Sequence, residues 1–138
     1  VFVNPIGLSA GVYSGTVTVA AGGSSNGSQT EAVTLIVSAS PTVTVTPGAL
    51  SFSYQQGGSA TPPQSVLVSS GATTSFAASA ASTGGWLGVN PSGATTTSSV
   101  AVSVFPLGLA PGRYGGSVSI STAAGAQTIP VTLIVTAP

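Results

Sequence analysis

The sequence predicts an all-β chain built from antiparallel two-sheet sandwiches in tandem units. Three observations carry that prediction: Val/Thr/Ser runs with a period of two, Gly/Pro turn pairs between them, and an internal repeat. Val3, Pro5, Gly7, Leu8, Gly11, Tyr13, Gly15, Val17 and Val19 recur 101 positions later as Val104, Pro106, Gly108, Leu109, Gly112, Tyr114, Gly116, Val118 and Ile120. Gln29, Thr30 and Val33 to Val37 recur 98 positions later as Gln127, Thr128 and Val131 to Val135. The offsets, 101 against 98, differ by three residues, which the loop between Ile120 and Gln127 loses. One whole unit therefore spans 40–138, and 1–39 read as the C-terminal half of another. A half unit lacks sheet partners, so another segment or subunit is expected to complete it.

The strands follow in order along the chain. In the half unit, Gly15 to Ala21 and Glu31 to Ser38 form a hairpin that presents Val17, Val19, Val33, Leu35 and Val37 on one apolar face, the expected assembly face. Val37 to Thr42 then passes straight into the whole unit, a short joint stiffened by Pro41. Thr42 to Thr46 alternates and stops at Pro47-Gly48. Leu50, Phe52 and Tyr54 share one face of the next strand, which Gln55-Gln56-Gly57-Gly58 ends. Val66 and Val68 point to the core from Gln64 to Ser70, and Phe76, Ala78 and Ala80 mark a weaker strand. Trp86 to Val89 follows Gly84-Gly85 and is closed by Pro91-Ser92-Gly93. Val100, Val102 and Val104 give the firmest alternation; Tyr114 to Ser121 and Gln127 to Thr136 make the last pair. No run shows helical spacing, so parallel pairing through crossover helices is not expected.

Composition narrows function. Only Glu31 and Arg113 carry side-chain charge, and His, Cys and Lys are absent. Phosphate neutralisation needs several basic groups, which argues against nucleic-acid binding. The 42% hydrophobic content, in alternation, argues for folding over disorder. Near-zero net charge gives little mutual repulsion, so attached glycans, permanent assembly or a larger parent must account for solubility. No stretch of 18 apolar residues indicates a membrane span, and Val1 to Pro5 does not read as a signal peptide. A start in mid-repeat reads as a piece of a longer chain whose export signal lies upstream. Polar tandem β units point to an extracellular or cell-surface location.

Catalytic machinery is missing from the sequence. One carboxylate cannot make the pair that glycoside hydrolysis uses, and no His or Lys can activate a serine. Zinc lacks His and Cys ligands, calcium lacks carboxylates, and Gly22 to Ser25 has no phosphate-loop Lys. The expectation is a non-enzyme without cofactor or metal. Asn26-Gly27-Ser28 matches an N-glycosylation acceptor, although Asn-Gly is also a preferred hairpin turn. Trp86 has two readings. It is a core filler, or with Tyr54, Gln55 and Gln56 it forms a carbohydrate contact. Tyr13 and Tyr114, each in Gly-x-Tyr-x-Gly, are expected to cap the core with the ring while the hydroxyl bonds to backbone.

The segments Leu50-Ser51-Phe52-Ser53, Pro62-Pro63-Gln64-Ser65-Val66, Gly84 to Gly93 with its Trp86-Leu87, and Gly108 to Gly116 with its Tyr114 resemble the BACON-like, immunoglobulin-like repeats of large secreted bacterial proteins. The resemblance covers 42–136, and 1–37 look like the rear of the same module. It implies an antiparallel immunoglobulin-like β-sandwich strung between other domains, with a carbohydrate association in the family's name. Three functions compete: a structural repeat in an extracellular fibre or long surface protein, a carbohydrate-binding module, and an adhesin or protein-interaction module. Expected partners are copies of the chain or adjacent repeats, joined through the half unit, and glycans.

Overall fold

A computed structural model describes residues 1–20, 22, 23 and 27–138, and among these all regular structure is β. The chain divides into two compact units, Val1–Ser40 and Pro41–Pro138.

The first unit is a single hairpin. Strand β1 (Gly11–Ala20) pairs antiparallel with β2 (Ser28–Val37), from Gly11 opposite Val37 to Ala20 opposite Ser28. Residues directly opposite in an antiparallel pair share a face. Tyr13 with Leu35, Gly15 with Val33, and Val17 with Glu31 therefore lie on one side, with Val19 and Val37 at its ends. The lead-in segment is held by Leu8 N–H donating to the Pro5 carbonyl at 3.2 Å and by Ile6 N–H donating to Asn4 Oδ1 at 3.1 Å.

The second unit holds nine strands: β3 (Val43–Thr46), β4 (Leu50–Gln55), β5 (Gln64–Ser70), β6 (Ser75–Ser82), β7 (Leu87–Asn90), β8 (Gly93–Thr95), β9 (Ser98–Val104), β10 (Gly112–Thr122) and β11 (Gly125–Thr136). They form two sheets, ordered β4-β11-β10-β6-β8 and β3-β5-β9-β7, that share one apolar core. Alternation along each strand decides what is buried. Leu50, Phe52 and Tyr54 enter the core while Ser51, Ser53 and Gln55 face outward; Val100, Val102 and Val104 do the same from the other sheet. The centre is set by Val118, Ile120, Ile129, Val131 and Leu133 against Val66, Val68 and Val100, all fully enclosed. Each such side chain stabilises the fold by about 1.5–3 kcal/mol through burial.

Two expectations are corrected. Strand β4 pairs with β11 in parallel, from Leu50 opposite Val131 to Gln55 opposite Thr136, so the fold is largely but not wholly antiparallel. No helix is needed for this pairing, because the chain between β4 and β11 returns through the second sheet. The Pro91-Ser92-Gly93 turn does not simply close a strand, since Gly93 begins β8, which pairs with β6.

The Gly-x-Tyr-x-Gly segments serve the same local purpose in both units. Tyr114 Oη donates to the Ala110 carbonyl at 2.8 Å and Tyr13 Oη to the Ser9 carbonyl at 2.9 Å, each four residues upstream. The connection before β10 is thereby tied to the strand it feeds, with Leu109 N–H donating to the Pro106 carbonyl at 3.1 Å. Tyr114→Phe keeps the ring and removes the bond. It is expected to cost about 1 kcal/mol, a fall in Tm of roughly 4–8 °C for a domain of this size, measured by thermal unfolding.

Candidate functional site

The feature that stands apart is the apolar face of the β1–β2 hairpin. Val17, Val33, Leu35, Val37 and Tyr13 are only half-buried and Val19 is exposed, because among the described residues no other element of the first unit covers them. The repeat shows what the same positions become when covered. Val17 and Val19 correspond to Val118 and Ile120, and Val33, Leu35 and Val37 to Val131, Leu133 and Val135, every one buried in the second unit. Sequence reasoning found the five aliphatic residues from their alternation. It did not assign Tyr13 or Gly15 to the face, although their places opposite Leu35 and Val33 put them there.

Glu31 departs from this pattern. It stands on the open face opposite Val17, where the second unit has Ile129 opposite Val118. Among the described residues the hairpin also has two unpaired edges. In the second unit the corresponding edges are occupied, that of β11 by β4 and that of β10 by β6. Unpaired N–H and C=O groups along such edges are templates for a further strand.

The carbohydrate contact finds no platform. Trp86 is 1% exposed, so its ring belongs to the core and offers no face for stacking, and its backbone carbonyl accepts Phe105 N–H at 2.7 Å. Tyr54, 8% exposed, is equally enclosed because strand alternation sends it inward beside Phe52 and Leu50. Tyr54, Gln55 and Gln64 do line a shallow groove of about 420 Å³, but Phe52, its other aromatic, is also buried. Gln56 is occupied internally. Its Nε2 donates to the Leu109 carbonyl at 2.9 Å, pinning the loop after β4 to the connection that leads into β10. Gln55 alone of the four projects into solvent, and one amide does not make a sugar site. Asn26, the glycosylation candidate, lies outside the described residues.

Apart from Glu31 and Arg113, both exposed, the described surface carries only neutral side chains. Among the described residues no helix is long and apolar enough to cross a membrane. No protein-family model and no curated protein sequence matches the chain.

Proposed function

We propose that the chain is a segment of a structural repeat protein, whose units are immunoglobulin-like β-sandwiches acting as non-catalytic spacers in a long extracellular or surface assembly. The observation that carries this reading is the pairing of one closed sandwich with a hairpin of the same repeat whose core face is open. A spacer needs a stable, chemically inert unit and a means of joining the next. The second unit supplies the first requirement: its buried side chains are hydrophobic, Arg113 is the one charged side chain on its surface, and its Trp86 and Tyr54 rings fill the core. The short Val37 to Thr42 joint, stiffened by Pro41, supplies the second, and the half-exposed face of β1–β2 marks a further unit to be closed. The motifs around Trp86 and Tyr114 that resemble BACON-like repeats support the same reading.

Imaging of the intact parent assembly by electron microscopy tests this. Expected are rods or fibres with a periodicity of one sandwich per repeat, together with silence of the purified chain on a glycan array. Isolated beads, or saturable glycan binding, would overturn the reading.

A further inference from the structure

We infer that the open face of β1–β2 is the rear wall of a sandwich whose front is a segment of the same polypeptide lying ahead of Val1 and built like residues 41–101. This deepens the spacer reading and rests on it. The register of the repeat carries the inference, not the position of Val1.

Two features point to that occupant. The first is Val1-Phe2-Val3. At the offset of 101, Val1 and Val3 stand where β9 has Val102 and Val104, two buried core residues, with outward-facing Ser103 between them in the place of Phe2. Val1 is 93% exposed and Val3 42%. They have the apolar alternation of the end of a β9-type strand, whose neighbours in the second unit, β5 and β7, come from residues 41–101.

The second feature is Gly15. Its counterpart Gly116 is a glycine for a visible reason, since a Cβ there would lie 3.0 Å from the Ala81 carbonyl oxygen, 3.0 Å from Leu87 Cδ2 and 3.2 Å from Trp86 Cη2. Around Gly15 a Cβ would meet nothing within 4 Å, and its φ is not one that glycine alone adopts. Glycine inside a strand costs stability unless something approaches closely. The missing approach is that of a β6-type carbonyl and a Trp-Leu pair, which a segment like 41–101 brings.

The occupant differs from residues 41–101 at one point. Glu31 takes the position of the enclosed Ile129, so the natural front segment presents a basic or hydrogen-bonding side chain there. A front copied from residues 41–101 is apolar over that end and meets Glu31 unpaired.

The test joins a copy of residues 41–101 directly ahead of Val1 in the full chain and compares it with the 138-residue chain by hydrogen exchange and thermal unfolding. In the extended chain the β1–β2 amides become protected by roughly 100-fold or more relative to the parent. Glu31→Ile raises the Tm of the new sandwich by about 8 °C or more, and leaves the 138-residue chain, where Glu31 is exposed, unchanged. Gly15→Val lowers that Tm by a similar amount, yet leaves hairpin protection in the 138-residue chain equal or higher.

The inference is overturned if the extended chain carrying Glu31→Ile leaves β1–β2 open. It is also overturned if the 138-residue chain protects them as well as β10–β11, or does so only with rising concentration, which would make a second copy the occupant. Failure of the extended chain, or protection that rises with concentration, overturns this inference alone and leaves the spacer reading to be judged on the shape of the intact assembly and on glycan silence. Protection of β1–β2 in the 138-residue chain as strong as that of β10–β11 would count against both.

Discussion

Replacing Trp86 with alanine is expected to cost the second unit about 3–5 kcal/mol, the largest effect of any single substitution in the chain. The indole is the largest side chain in the core and reaches from the end of one sheet, before β7, to Gly116 in the other. Its removal leaves a hole walled by Leu87 and the backbone of β6 and β10, strands held by paired hydrogen bonds that cannot collapse inward. For a domain of this size the loss corresponds to a fall in Tm of at least about 12 °C. Trp86→Phe should behave better than its lost area suggests. Nε1 is buried with no hydrogen-bond acceptor among the described residues, and an unsatisfied buried donor costs about 1–3 kcal/mol that phenylalanine does not incur. Denaturant unfolding of the three proteins, followed by tyrosine fluorescence or circular dichroism, gives the order wild type, Trp86→Phe, Trp86→Ala. An alanine variant as stable as wild type would show that the indole does not bridge the sheets.

Gly116→Val is the second. Valine suits a strand by propensity, so the substitution would ordinarily stabilise. Here its Cβ alone would press on a backbone oxygen of Ala81, which cannot move without breaking the β6–β10 register, and its methyls would displace Leu87 and Trp86. The expected cost is about 3 kcal/mol, with Gly116→Ala intermediate. Gly15→Val in the 138-residue chain is the internal control, being the same change at the same place in the repeat where nothing approaches. The pair of Tm values measures how much of the glycine's purpose comes from its neighbours.

The sequence made most strands legible, because one buried face imposes period two wherever a strand is long enough to show it. Leu50-Phe52-Tyr54 and Val100-Val102-Val104 were placed with their inward faces correct. β8 escaped because Gly93 to Thr95 is too short for alternation and sits beside a turn proline. The parallel β4–β11 pair escaped for another reason. Local pattern states that a residue faces inward and not which strand lies beside it, and Leu50 and Val131 are joined only by the path of the whole chain. The candidate site divides along the same line. The apolar face of Val17, Val19, Val33, Leu35 and Val37 was readable from alternation, whereas Trp86 beside Gly84-Gly85 has the same local signature whether it stacks on a sugar or fills a core. Gln56 was read as a polar contact for a ligand; its partner, the Leu109 carbonyl, is 53 positions away and invisible to local reasoning.

The parallel pairing of β4 with β11 has a mechanical consequence. Tension between Pro41 and Pro138 first meets β3 and its pairing with β5; beyond that, it draws the Leu50 end of β4 and the Thr136 end of β11 in opposite directions along a common axis. The bonds of that ladder are then sheared together and not unzipped in turn. Units of this kind placed in series would each bear the same tension and yield in whole-domain steps.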